Sequence, residues 1–274
     1  MREIAFESFG VRIGVRASDA RIWERLPEMI PPHSTRCEVP EIGHRFSVTM
    51  EDELFTMRYD IRDGEHAKLL DPASWICANV DLELVLGLLE THLHGTVALR
   101  AVDRTFVYGG AVAYRDRAVI LPAAALTGKS TLVAALVRAG ATYYSDTFAV
   151  LDPEGRVHPY ATPIRLPGAD RIDLSENGDQ PGRVGDQALP VGAIVMTGYR
   201  PGAEWRPRRL SRGEGVISLM AQTVPAMERP DESMHVVRHA FDSDPVVIAS
   251  DRDEAELLAS SLLSELEREF SASA

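Results

Sequence analysis

The stretch Leu121-Pro122-Ala123-Ala124-Ala125-Leu126-Thr127-Gly128-Lys129-Ser130-Thr131-Leu132 limits the fold more than any other part of the chain. Arg117 to Leu121 (RAVIL) suits a short buried strand, and Lys129 to Ala139 sets Leu132, Ala135, Leu136 and Ala139 at helical spacing before Gly140. Strand, loop and helix in that order, with Gly128-Lys129-Ser130 at the junction, is the arrangement of a phosphate-binding loop. In such loops N–H groups at a helix N-terminus surround the phosphates, a lysine reaches the outer ones, and the next hydroxyl ligates Mg²⁺. The residues expected to line a nucleotide are therefore Ala125, Leu126, Thr127, Gly128, Lys129, Ser130 and Thr131, with Ser130 also on the metal. The full pattern wants Gly at position 123, where this chain has Ala123. Composition argues against coincidence, because the chain has only two lysines, Lys68 and Lys129, and a lysine so rare seldom falls between Gly and Ser by chance. The competing reading is an ordinary strand-to-helix turn capped by Thr127.

A chain of 274 residues with 45% hydrophobic content supports one large or two modest domains with a real core. Its net charge of −12 repels polyanions, which argues against a general nucleic-acid role; the one dense basic cluster is Arg206, Arg208 and Arg209. Cys37 and Cys77 are too few for a disulfide framework or a Cys-rich zinc site. The N-terminus lacks a signal-peptide apolar core, and no apolar run has the length of a membrane span, so a cytoplasmic protein without membrane contact is expected.

Residues 1–100 read as a small α+β module. Short strands are expected at Glu3 to Phe9, Val11 to Val15, Arg36 to Val39, Arg45 to Met50 and Leu54 to Asp60, with a helix from Asp19 to Leu26 capped by Ser18. A linking helix from Asp81 to Leu99 carries Leu82, Val85, Leu89, Leu93 and Val97 on one face. His92 and His94 near its end read as surface imidazoles, since residues two apart on a helix point in different directions.

Residues 101–274 hold the chemistry. Thr105 to Tyr114 and Arg117 to Leu121 form a hairpin about Arg115-Asp116, with Gly109-Gly110 marking a bulge or a close approach by another backbone or a nucleotide. Beyond the loop helix, Asp146 and Asp152 are the two acids placed to serve a metal. Asp152-Pro153-Glu154-Gly155 is good β-turn chemistry, which assigns Asp152 to the turn. Asp146 interrupts an apolar stretch and needs a partner such as Mg²⁺, Lys129 or a substrate hydroxyl. Pro167 to Pro190 reads as a long loop, a lid or plain disorder, followed by a strand at Val191 to Met196. The arginines at 206, 208 and 209 either clamp an anion or form a solvated face. Helices are expected at Ser211 to Ala221 and Asp231 to Phe241, then a strand at Val246 to Ala249 and a last helix from Asp253 to Phe270. His235 and His239 sit four apart without the rest of a zinc set, and Leu257, Leu258, Leu262 and Leu266 suit core docking or a homo-oligomer contact.

Leu121 to Leu132, then Ala139-Gly140-Ala141-Thr142-Tyr143-Tyr144-Ser145-Asp146 and Gly155-Arg156-Val157-His158-Pro159-Tyr160, resemble the HPr kinase/phosphorylase-related P-loop serine kinases. The resemblance is close from Thr105 to Arg165 and weaker through Leu189 to Glu214 and the C-terminal helices. It implies an α/β P-loop kinase domain of HPr-kinase/PEP-carboxykinase type behind the smaller N-terminal module. It also implies ATP and Mg²⁺ as cofactors, and transfer of the γ-phosphate to a Ser/Thr hydroxyl of a protein or peptide. Carried over singly, Lys129 contacts the phosphates, Ser130 ligates the metal, and Asp146 is the first acid of an acidic pair, making Lys129 and Asp146 the catalytic candidates.

The chain departs from that pattern at Tyr108 (His in the family), Ala123 (Gly) and Thr147 (a second acid). Tyr does not titrate near neutrality, Ala restricts the loop's first turn, and Thr removes a negative oxygen. Two functions follow as expectations: an active protein or peptide kinase, or a catalytically impaired nucleotide-binding protein that acts on a partner.

Overall fold

The computed structural model describes residues 1–38, 42–61, 74–122, 128–164 and 183–272, and the chain divides into two compact units, Met1–Val102 and Asp103–Ala274. The architecture is mixed α/β, with one mixed sheet in each unit and six α-helices among the described residues. None of those helices is long and apolar enough to cross a membrane.

The first unit is built on strands β1 (Arg2–Ser8), β2 (Val11–Ala17), β3 (Thr35–Arg36), β4 (His44–Glu51), β5 (Leu54–Ile61) and β6 (Ser74–Val80), in the order β3-β1-β2-β4-β5-β6. Along β2, Val11, Ile13, Val15 and Ala17 turn inward while Arg12 and Arg16 face water, the period-two pattern of a half-buried strand. Buried Arg45 on β4 is neutralised by Glu3 on β1 at 2.6 Å. Helix α1 (Ala20–Arg25) is capped by Asp19, whose carboxylate accepts from the Arg21 N–H at 2.8 Å. Ser18, the expected cap, instead accepts from the Met50 N–H at 3.3 Å. The expected strand at Arg36 to Val39 is confined to Thr35–Arg36 among the described residues, and Val39 lies outside them.

Helix α2 (Leu82–Arg100), capped by Asp81, packs against β2, β5 and β6. Its buried stripe is two residues wide, because Leu86, His94 and Ala98 join Val85, Leu89, Leu93 and Val97. The surface assignment of the two histidines is therefore corrected. His94 is buried, and His92 is half-buried and tilted against the Phe46 ring at 6.2 Å, with burial pushing its pKa down.

In the second unit, β7 (Thr105–Tyr114) and β8 (Arg117–Pro122) form the expected hairpin, with Arg115 and Asp116 at φ 51° and 57°. Two consecutive positive φ values give a two-residue turn whose twist matches its strands. Helix α3 (Lys129–Arg138) follows, then β9 (Thr142–Ser145), β10 (Phe148–Leu151), β11 (Val157–His158), β12 (Val191–Met196) and β13 (Arg208–Arg209). Helices α4 (Arg212–Gln222) and α5 (Pro230–His239), strand β14 (Val246–Ala249) and helix α6 (Ala255–Ala272) complete the unit.

The sheet order is β11-β10-β7-β8-β12-β14-β13, with β9 also beside β7. Strands β8, β12 and β14 are mutually parallel neighbours, so their carboxyl ends open on one edge of the sheet. Helices α3 and α6 cover one face, through Leu132, Val133 and Leu136 with Leu258, Leu262 and Leu266. Helices α4 and α5 cover the other through Leu219, Val236 and Val237. Leu257, expected on the inward stripe of the last helix, is exposed. Most of the long loop expected at Pro167 to Pro190 lies outside the described residues. Its last part is tied to the sheet, with the Tyr143 N–H donating to Arg183 and Leu189 exchanging hydrogen bonds with Val157.

The glycine pair in β7 has a specific use. Strand β9 pairs with Ala111–Ala113 and β10 with Thr105–Tyr108, and between them Asp146 and Thr147 bend out of the ladder beside Gly109 and Gly110. The Gly109 N–H donates to the Thr147 carbonyl at 3.1 Å. A Cβ at Gly109 would lie 2.8 Å from the Leu121 carbonyl oxygen, and one at Gly110 would lie 2.5 Å from Val133 Cγ2 and 3.4 Å from Lys129 Cγ. Bare backbone at Gly110 lets α3 settle onto β7. Gly110→Ala should destabilise the protein by about 1–3 kcal/mol in urea unfolding. In Gly110→Ala/Val133→Ala the loss should be smaller than the sum of the single losses, because the clashing methyl is gone.

Candidate functional site

The end of α3 is set by Gly128, the N-cap, at φ 74° and ψ 18°. This is the left-handed region that glycine enters at little steric cost. Gly128 has no side chain to cap the first-turn N–H groups, and the first turn contains no acid. Those amides and the positive end of the helix dipole therefore suit an anion. Lys129, Ser130 and Thr131 occupy that first turn and are partly buried. Ala123, Ala125, Leu126 and Thr127 lie outside the described residues.

Lys129 runs across the gap left by Gly110, and its ammonium donates to the backbone carbonyl of Asp146 on the far side of β7. Burial pushes the lysine pKa down, and the Asp146 charge partly opposes that shift. Asp146 itself is 5% exposed. One carboxylate oxygen, Oδ1, accepts from the Thr147 hydroxyl at 3.0 Å and from the Thr162 hydroxyl at 3.5 Å. No donor among the described residues reaches Oδ2. Ser145 holds the bend, its Oγ accepting from the N–H groups of Thr147 and Phe148 at 3.2 and 3.1 Å. Tyr108 lies two residues from Gly110 and so on the same face of β7; it is 45% exposed, its ring 5.0 Å from that of Phe148.

A further group completes the site. Arg252, in the loop between β14 and α6, donates from Nη2 to the Gly128 carbonyl at 2.6 Å and from Nη1 to the Asp253 carbonyl at 3.0 Å. The Tyr199 Cβ stands against the same glycine, 3.2 Å from where a Cβ would project. Sequence reasoning missed Arg252, Ser145 and Thr162. Nothing in the spacing of Asp251-Arg252-Asp253 reveals that the guanidinium is buried.

Asp152 is committed elsewhere. Its carbonyl accepts from the Gly155 N–H at 2.9 Å, closing the expected turn. Its carboxylate accepts from the backbone N–H and Nε of Arg156 at 2.8 and 2.9 Å and lies 2.8 Å from His158 Nε2. Arg206, Arg208 and Arg209 are paired with Glu204, Glu214 and Glu269, which makes them a neutralised solvated face rather than an open anion clamp. His235 and His239 pack edge to face, and among the described residues no cluster of three or more His, Cys, Asp or Glu side chains is placed to hold a metal. No protein-family model and no curated protein matches the chain.

Burial alone would raise the Asp152 pKa, but the His158 hydrogen bond, the Arg156 N–H and the two basic groups hold it below the usual carboxylate range. Its stabilising effect is therefore present above about pH 4 and lost as pH falls through the lowered value. Asp152→Asn should cost about 1–3 kcal/mol at pH 7, with a gap to wild type that narrows at pH 3 in urea unfolding.

Proposed function

We propose that the unit Asp103–Ala274 binds Mg·ATP at the junction of β8 and α3 and is a phosphotransferase of the HPr-kinase-like type. Its acceptor would be a Ser or Thr hydroxyl of a protein or peptide. What supports this most is the placement of Lys129: a rare lysine at the first turn of a helix whose N-cap glycine offers no side-chain cap, lying beside the one buried acid of the bend, Asp146. The position is the one that bound phosphate favours in open α/β sheets, outside the carboxyl ends of parallel strands.

The donor set also fits Mg²⁺. This ion takes one or two carboxylates together with phosphate oxygens and water. Ser130 and the Oδ2 of Asp146, which no donor among the described residues reaches, supply a hydroxyl and a carboxylate oxygen, and the ion would neutralise phosphate charge. Lys129 would hold the outer phosphates, and Asp146 is the group available to receive the acceptor's proton as the new P–O bond forms and ADP leaves. Titration with ATP should show binding to wild type that weakens when Mg²⁺ is withheld and falls tenfold or more in Lys129→Met. Equal affinity in both proteins would overturn the assignment.

A second reading, a catalytically impaired nucleotide-binding partner protein, is favoured by one observation. Thr147 stands beside Asp146 where a second acid would serve transfer, and its hydroxyl occupies Oδ1 instead. The two readings separate on Thr147→Asp. Under the second, wild type transfers no label from γ-³²P-ATP to peptide or protein acceptors and Thr147→Asp gains measurable transfer; labelling by wild type excludes it.

A further inference from the structure

Arg252 is 2% exposed, yet no carboxylate among the described residues pairs with it. Among the described residues only two of its five N–H donors find acceptors, both backbone carbonyls, and its buried Nε has no partner there. The acids that flank it in sequence are engaged elsewhere: Asp251 faces Arg200 at 3.4 Å, and Asp253 accepts from the Gly202 N–H at 2.8 Å. The contrast is direct, because Arg45, the other buried arginine among the described residues, sits against Glu3. A buried charge without a counter-charge is strongly unfavourable. Burial accordingly pushes the Arg252 pKa down.

The backbone holds the residue firmly in this unfavourable place. The Arg252 N–H donates to Gly198 at 3.0 Å, and its carbonyl accepts from the Arg200 N–H at 2.8 Å. Gly128, Tyr199 and Arg252 thus gather three segments that follow the carboxyl ends of β8, β12 and β14. At the mouth of α3, Lys129 and Arg252 supply two cations, and Asp146 supplies one carboxylate among the described residues.

We propose that Arg252 is a positioning residue for a polyphosphate tail: it fixes the Gly128 peptide so that the first N–H groups of α3 face the ligand, and its charge is balanced by the bound oxyanions. This rests on the phosphate-site reading above and adds to it a residue outside the loop motif. A guanidinium kept only to tie two loops together would stabilise the ligand-free protein. One kept for an anion would leave that form strained and serve the bound one, and the two roles predict opposite signs.

The test measures affinity for inorganic tripolyphosphate and for Mg·ATP by calorimetry, together with the thermal midpoint without ligand. The proteins are wild type, Arg252→Gln, Arg252→Lys and Lys129→Met. The expected result is at least a tenfold loss of affinity for both probes in Arg252→Gln and partial recovery in Arg252→Lys, with a ligand-free midpoint equal to or above that of wild type. Wild-type affinity in Arg252→Gln alongside a loss in Lys129→Met would overturn this inference and leave the site reading standing. A lowered midpoint, or failure of Arg252→Gln to fold, would make Arg252 a structural tie and equally overturn it. Absence of binding of either probe to wild type would remove the site reading itself.

Discussion

The contact between the Lys129 ammonium and the Asp146 carbonyl organises the second unit around its candidate site. It requires three independent features of the chain to coincide. The helix must start at Lys129, which the left-handed Gly128 permits; β7 must lack side chains where the lysine stem crosses it, which Gly110 provides; and the strand beyond must open at Asp146. The Ser145 hydroxyl stabilises that opening by taking up the N–H groups of Thr147 and Phe148. An ordinary continuous ladder would have used the carbonyl of residue 146 for a neighbouring strand. The interruption releases it toward the lysine.

The electrostatic character of the site follows from burial rather than from the chain's overall charge. The protein carries a net charge of −12, yet among the described residues the mouth of α3 gathers Lys129, Arg252 and amides that the N-cap glycine leaves uncapped against one carboxylate. Burial depresses the pKa of both cations. Low dielectric surroundings strengthen whatever charge interaction a ligand brings, and the same surroundings make the ligand-free arrangement costly. The surface arginines behave oppositely. Arg206, Arg208 and Arg209 each sit against a carboxylate in water, where such pairs contribute little.

Local signals were legible where the physics is local. The Arg115-Asp116 hairpin and the periodicity of α3 rest on neighbours within a few residues, as does the Asp152-Pro153-Glu154-Gly155 turn, and the structure has each of them. Strand β6 was not read, because it is an outermost strand of its sheet whose residues are mostly exposed or half-buried, so its inward pattern is faint. His94 was misread for a related reason. A single ladder of apolar residues three and four apart marks a narrow stripe, whereas α2 lies across a sheet and buries a second row beside it.

The sequence by itself determined the strand-loop-helix order, the glycine that starts α3, the rare lysine beside it, and the acid that breaks an apolar stretch. These are matters of periodicity, backbone freedom and solvation, all encoded within short windows. Only the tertiary structure decided which groups meet. It brought Asp146 under Lys129 across Gly110, gave Asp152 to Arg156 and His158, and turned Arg252 inward onto Gly128 from a loop 124 residues away. That separation is the physical reason. Burial of a charge depends on what the rest of the chain packs around it, and no window centred on Arg252 contains the backbone that it serves.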